Sequence, residues 1–189
     1  RRWRGAWRTS AERGVEDLGK IDPDEAIFPT GITEAADGMI FLGTCNGARL
    51  VRFNPATGAF TRFGRMDATD NYLYPLAGDE GSLAALVKVV RPHLVVIDPL
   101  TGEHREVGPA ITDTTDKRQF LKFFKGTDGR LYLDTHAGKF RVEGMNLNPV
   151  ETVPGEMPGI HSAYTHRYQA PLVMPGGWTA EFLDDNDVG

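Results

Sequence analysis

Residues 37–64, DGMIFLGTCNGARLVRFNPATGAFTRFG, decide the fold class of this chain. They predict two strands, a tight turn and a third strand, because runs of β-branched and aromatic residues flank the turn NPATG at 54–58. In that turn Asn54 can accept hydrogen bonds from the following N–H groups, Pro55 presets φ, and Gly58 tolerates a positive φ. The stretch is therefore typical of an antiparallel meander.

Two later segments, 79–108 and 128–154, repeat this plan. The turn NPATG recurs as DPLTG at 98–102, 44 positions on, and the joint LGKIDPD at 18–24 recurs as FGRMDAT at 63–69, 45 positions on. Each unit has four short apolar runs. A period near 45 with four strands per unit predicts β-propeller blades, since solenoid repeats of that length are helical. A β-sandwich is the alternative, because short regular strands occur in both.

We therefore expect an all-β β-propeller with four-stranded blades, of which about three and a half are present, so that the propeller is incomplete. The third unit is degenerate, because 144–149 keeps the turn residues but not their pattern. Propellers usually close with four to eight blades, and open strand edges invite aggregation. Closure is thus expected to need further blades or self-association. The expected divisions are a blade remnant or flexible segment at 1–14 and a propeller at 15–189, with units 28–64, 72–109, 120–154 and, in part, 160–189.

Composition excludes several classes of protein. The 189 residues carry a formal net charge of −5, which gives no argument for a nucleic-acid partner. No apolar run approaches the roughly 20 residues that a membrane helix needs, so no membrane span is expected. The single cysteine, Cys45, excludes an internal disulfide and does not define the compartment. A soluble protein, secreted or periplasmic, is the favoured expectation.

Alternating strand directions place the loops after the second strand of each unit and the joints between units on the same face. Loops on a rigid scaffold commonly carry function. His93 and His136 occupy equivalent places in neighbouring units, and the last joint adds further polar side chains. The predicted catalytic residues on this rim are His93, His136, Tyr164, His166 and Arg167, and the predicted ligand-binding residues are Tyr72, Arg118 and His161.

These residue types fit β-elimination on a uronic acid. Histidine moves protons near neutral pH, tyrosine can serve as acid or base, and arginine neutralises a carboxylate. The leading expectation is a carbohydrate-active propeller, a lyase acting on acidic, uronate-containing polysaccharide. One alternative is a non-catalytic scaffold that binds a ligand or a protein partner, and another is a metal-dependent lactonase. Whether the chain is an enzyme is left open, and its expected partner is a carbohydrate or another small ligand.

The pairing of DG-x-[IL]-[FY] with [ND]-P-x-T-G resembles the repeats of bacterial propellers of the gluconolactonase-like, streptogramin-lyase-like and quinoprotein-like kind, over about 15–154. The gluconolactonase-like resemblance implies a central metal held by Glu, Asn and Asp, but these ligands do not map onto single positions. Propeller polysaccharide lyases use His, Tyr and Arg on one face, which is similar to the predicted rim.

The cofactor is therefore left unknown, with a structural or catalytic divalent metal open. A metal site of His136 with His161 and His166 is a further alternative, although the five-residue gap between the last two is not the helical spacing of familiar zinc motifs. The acidic runs 22–25 and 184–187 are interpreted as solvated loops, since they lack the alternating ligands and the glycine bend of a calcium loop.

Overall fold

The computed structural model describes residues 5–12, 14–23, 28–109, 111–158, 172–173 and 179–180. The regular elements in these ranges are all strands. None of the described residues forms a helix that could cross a membrane. In chain order the strands are β1 (Gly5–Ser10), β2 (Gly14–Lys20), β3 (Phe28–Glu34), β4 (Ile40–Cys45), β5 (Arg49–Asn54), β6 (Ala59–Arg65), β7 (Tyr72–Ala77), β8 (Leu83–Lys88), β9 (His93–Ile97), β10 (His104–Val107), β11 (Leu121–Lys125), β12 (Leu131–Thr135), β13 (Gly138–Glu143), β14 (Asn146–Val150), β15 (Leu172–Val173) and β16 (Thr179–Ala180).

The strands form three four-stranded antiparallel meanders, which confirms the all-β prediction and its four-stranded units. The sheets follow the orders β3-β4-β5-β6, β7-β8-β9-β10 and β11-β12-β13-β14, and we name them the first, second and third sheet. β1 pairs with β2 in a separate two-stranded sheet, and β15 pairs with β16. Four-stranded meanders of this kind are the blades of propellers.

The repeated pentapeptide forms the same turn in the first and second sheets. Asn54 Oδ1 accepts hydrogen bonds from the N–H groups two and three residues on, at 2.9 and 3.3 Å. Asp98 Oδ1 makes the same pair at 2.8 and 3.0 Å. Gly58 and Gly102 close the two turns with φ of 75° and 76°. The repeated pentapeptide thus forms its turn because its first side chain accepts backbone hydrogen bonds and its last residue, glycine, adopts a left-handed conformation.

β2 begins at Gly14, next to the expected division between 1–14 and 15–189, which stays a prediction. One turn differs from the expected one. In the third sheet the turn after β13 contains only Gly144 and Met145, so the later part of 144–149 belongs to β14. Pro149 is accommodated there because β14 is the outer strand of its sheet, where a missing N–H leaves no ladder bond unmade.

The second sheet is buried on both faces, which explains why β8 and β9 are continuously apolar rather than alternating. Successive side chains of a strand point to opposite faces, so this sheet contributes to two separate cores. One face packs on the first sheet with Leu73, Leu83, Ala85, Val87, Val95 and Ile97 against Phe41, Leu50 and Met66. The other packs on the third sheet with Tyr74, Leu76, Leu86, Leu94 and Val96 against Phe123, Leu131, Leu133 and Val142.

The first and second sheets approach each other closely at Gly43 of β4. A Cβ added there would lie 2.0 Å from the carbonyl oxygen of Leu73 in β7 and 2.6 Å from Cδ of Pro75. That carbonyl also accepts a 2.5 Å hydrogen bond from the hydroxyl of Thr30. The absence of a side chain at Gly43 is therefore what lets the two backbones meet.

Polar contacts join the second and third sheets at the end opposite to the loops that follow their second strands, β8 and β12. Lys125 Nζ lies 2.5 Å from Asp79 Oδ1, and the Asp79 N–H donates to the carbonyl of Gly129 at 2.9 Å. Lys125 is itself buried, so its charge is compensated within the interface. The three sheets consequently pack in chain order, each on the next.

Candidate functional site

The loops 46–48, 89–92 and 136–137 and the joints 66–71 and 111–120 lie on one face of the sheets, which we call the loop face. The N–H groups of Gly47 and Ala48 donate to the carbonyl of Asn71 at 3.3 and 2.9 Å. The N–H of His136 donates to the carbonyl of Phe120 at 3.4 Å. These loops thus form hydrogen bonds with joints between the sheets. The alternation of strand directions predicts that the loops and the joints lie on the same face.

Asp70 fixes the loop 89–92 from beneath. Its side chain is 1% exposed. One carboxylate oxygen accepts from the N–H groups of Val89 and Val90, the latter at 3.1 Å, and the other accepts from the N–H of Arg91 at 3.0 Å. A buried carboxylate is tolerated only when its oxygens are satisfied, and here backbone donors satisfy them. The loop therefore has one anchored conformation.

His93 lies beside this anchor and is 2% exposed. Its Nδ1 is 2.6 Å from the carbonyl oxygen of Arg91, so Nδ1 carries a proton, because a carbonyl only accepts. Its Nε2 is 3.2 Å from Asp67 Oδ2, close enough for an ion pair but outside hydrogen-bond geometry. We therefore regard the second contact as electrostatic. The sequence analysis placed His93 at the loop after β8. In the structure it is the first residue of β9, and it is buried where it contacts the carbonyl of Arg91 and the carboxylate of Asp67.

An ion pair between Arg91 and Glu106 lies on the outer side of the loop 89–92. Arg91 donates from both terminal nitrogens to Glu106, at 2.6 Å each. The hydrogen bonds with Glu106 raise the pKa of Arg91, and the same bonds lower the pKa of Glu106. Burial raises the pKa of Asp67, but the N–H groups of Asp70 and Thr69 outweigh it and hold that pKa below its ordinary value.

A depression of about 430 Å³ lies next to the loop 89–92. Its lining residues come from that loop and from the joint that follows β10: Val90, Arg91, Ile111, Thr112, Asp113 and Thr114. Val89 and Val90 are 60% and 63% exposed, while Ile111 is buried. The loop face therefore combines two neighbouring exposed aliphatic side chains with a concave surface.

The sequence prediction missed Val89 and Val90, although a signal was present. The apolar run of β8 is interrupted by Lys88 and resumes at Val89 and Val90. The partner strand β7 begins at Tyr72, which pairs with Lys88, so the two valines lie beyond the end of the ladder. Apolar residues beyond the end of a ladder must lie in a loop, and only their exposure marks them as functional candidates.

The other described residues of the predicted site make local contacts. His136 is exposed, with Nδ1 3.3 Å from the carbonyl of Phe120. Arg118 forms an ion pair at 2.9 Å with Asp116 in its own turn, and its side chain is 91% exposed. Tyr72 is half-buried at the start of β7, and its ring is 6.3 Å from that of Tyr74. His161, Tyr164, His166 and Arg167 lie outside the described residues.

The described ranges contain no group of three or more His, Cys, Asp or Glu side chains arranged to hold a metal ion. The acidic residue Asp22, which belongs to the run 22–25, instead forms an ion pair at 3.2 Å with Arg49. The three-histidine alternative depends on His161 and His166, which are not among the described residues.

No protein-family model matches the chain, and no curated protein matches it. Solved structures that are similar to it include virginiamycin B lyase from Staphylococcus aureus (18% identity, TM-score 0.51), a streptogramin B lyase (19%, 0.52) and a catalytically inactive variant of the Staphylococcus aureus virginiamycin B lyase with quinupristin (19%, 0.51). The matches cover 77% of this chain and 47%, 47% and 48% of those chains. The chain thus spans about half the length of the structures it matches.

These similarities define a β-propeller type of fold and agree with the streptogramin-lyase-like part of the sequence resemblance at that level. The expectation of a lyase acting on acidic polysaccharide is wrong, because the similar structures are lyases of streptogramin-type antibiotics and not polysaccharide lyases. Of the predicted site residues, His93 is buried, whereas the Arg118 side chain is exposed and pairs with Asp116.

Proposed function

We propose that this chain is a propeller-type binding scaffold whose loop face holds a partner through Val89, Val90 and the adjoining depression. The observation that carries the proposal is the anchoring of 89–91 by buried Asp70, which fixes a loop whose two valines are left exposed. Contiguous exposed apolar surface next to a concave surface is typical of sites where another molecule binds.

Preorganisation favours binding at this loop. A flexible loop loses conformational entropy when a partner immobilises it, whereas the hydrogen bonds to Asp70 have already restricted this one. Val89 and Val90 are 60% and 63% exposed, so covering their exposed part would contribute on the order of 1–2 kcal/mol each. A specific contact also needs the area that the neighbouring depression adds, because association itself costs free energy.

Other exposed aliphatic side chains provide internal controls. Leu100 is 71% exposed in the turn between β9 and β10, and Ile32 is 61% exposed in β3. Each stands without an exposed aliphatic neighbour among the described residues adjoining it in sequence. Isolated exposed apolar residues are ordinary on protein surfaces and indicate no site. Leu100 is the better control, because it lies in a turn as Val89 and Val90 do.

The test is a titration with 2-propanol followed by methyl NMR. We expect saturable shifts of the Val89, Val90 and Ile111 methyl groups, and only linear, non-saturating shifts of Leu100. Val89→Ser with Val90→Ser should abolish the saturable shifts of Ile111, because the backbone donors to Asp70 remain, while Leu100→Ser should leave them unchanged. Equal, non-saturating shifts at all of these methyl groups would contradict a binding site on the loop face.

A further inference from the structure

The two charged residues that line the depression differ in how they are compensated. Arg91 is held by both oxygens of Glu106, so its charge is matched. Asp113 Oδ1 accepts from the N–H and hydroxyl of Thr115, at 2.8 and 2.7 Å, and the backbone N–H of Asp116 also favours the charged carboxylate. Among the described residues no lysine or arginine forms an ion pair with Asp113. The depression therefore has an apolar part next to a carboxylate that no described cation neutralises.

The bonds to Thr115 also keep Asp113 in its charged form. The hydroxyl bond and then the N–H bond lower the pKa of this carboxyl, and both come from the residue two positions on. A carboxylate that accepts from donors of its own turn retains free lone pairs on its second oxygen. That oxygen can receive a donor from a bound partner.

We propose that the occupant of this depression is a segment of a partner protein in which a basic residue lies next to an aliphatic one. This inference rests on the proposed binding role of the loop face and names the chemistry of the partner. The aliphatic side chain would lie over Val90 and Ile111, and the ammonium or guanidinium group would pair with Asp113. A volume of about 430 Å³ suits two neighbouring side chains and little more. Charge complementarity of this kind sets specificity more than affinity.

Capped dipeptides test this chemistry directly. We expect acetyl-Leu-Arg-amide to cause saturable shifts of the Val90 and Ile111 methyl groups. Acetyl-Leu-Glu-amide should bind at least about threefold more weakly, since it lacks the ion pair with Asp113 and brings a like charge next to it. Equal affinity of the two dipeptides would overturn the proposed partner chemistry, and the response to 2-propanol would still show whether the binding face exists.

Asp113→Asn is the matched variant. An amide oxygen can still accept both bonds from Thr115, so the turn should fold as before while the charge is lost. We expect this variant to bind acetyl-Leu-Arg-amide about threefold more weakly. Asp37→Asn, in the turn between β3 and β4 on the other face, should bind as the parent does. Unchanged affinity of Asp113→Asn for acetyl-Leu-Arg-amide would overturn the proposal. Hexylamine binding as tightly as the dipeptide would also overturn it, because the occupant would then be a small amine and not a protein segment.

Discussion

At the scale of single residues, Gly43 shows how one missing side chain sets the distance between two sheets. The site of its absent Cβ lies 2.0 Å from Leu73 O, which is backbone and cannot move away as a flexible side chain could. Glycine is present here for space and not for a left-handed conformation, because Gly43 is not among the residues with positive φ. Any larger residue must therefore push β4 away from β7.

We predict that Gly43→Ala costs about 1–3 kcal/mol of unfolding free energy, because overpacking forces the first and second sheets apart. Urea unfolding followed by tryptophan fluorescence or circular dichroism measures this loss. Gly155→Ala is the control, since its added Cβ would meet only Thr127 Cγ2 at 3.9 Å and φ is not positive there. A Gly43→Ala protein as stable as the Gly155→Ala protein would contradict the close approach.

Asp70 is the second residue on which the account depends. Asp70→Asn replaces one carboxylate oxygen with an N–H₂ group, which must face a backbone donor from 89–91. We predict a loss of about 1–3 kcal/mol, the cost of leaving a buried group unsatisfied. Amide hydrogen exchange at Val90 and Arg91 should also become faster. Asp37→Asn should change neither the unfolding free energy nor the exchange at these two amides. Unchanged exchange at both amides in Asp70→Asn would show that the carboxylate does not anchor the loop.

At the scale of elements, the loop 89–92 and the start of β9 form a unit whose stability depends on pH. The folded-state pKa values of Asp67 and Glu106 are lowered, so both groups stabilise the fold in their charged form. A carboxyl with a lowered folded pKa contributes stability above its unfolded pKa and loses it as the pH falls through its folded value. The loss therefore begins near pH 5, about one unit above the ordinary pKa values of these carboxyls, and continues as the pH falls through the lowered folded values.

We predict that the unfolding free energy decreases between about pH 5 and pH 2.5 and that Glu106→Gln flattens part of this decrease. The effect of Glu106 should be small, because its side chain is 40% exposed and solvent screens the pair with Arg91. Urea midpoints measured across this range for the parent and the variant give the comparison. A steeper acid dependence in Glu106→Gln than in the parent would contradict the assignment.

The elements differ in how far sequence could predict them. The turns at 54–58 and 98–102 were predictable because their hydrogen bonds run between neighbours in sequence. The partners of Asp70 lie 19 to 21 residues away, so its position on the loop face could be inferred but its anchoring role could not. The burial of His93 could not be inferred for the same reason, because its contacts with Asp67 and the carbonyl of Arg91 depend on tertiary packing that a local pattern does not contain.

At the scale of the whole molecule, the period of the repeat predicted four-stranded units. The sheets stack because the second sheet contributes to two separate cores, one on each of its faces. Leu73 and Val87 face the first sheet, while Leu86 and Val96 of the same sheet face the third. A two-sheet sandwich gives each sheet one buried face, so continuous apolar strands such as β8 would leave half of their side chains in water. Burial on both faces favours the propeller arrangement over the sandwich.

The stacking order of the three sheets can be tested most directly by methyl–aromatic NOEs. We predict that the Phe41 ring shows NOEs to methyl groups of Leu73 or Val87 and none to Leu86 or Val96, and that the Phe123 ring shows the reverse. NOEs from both rings to the same face of the second sheet would contradict the account, because only a different layering of the sheets could bring them together.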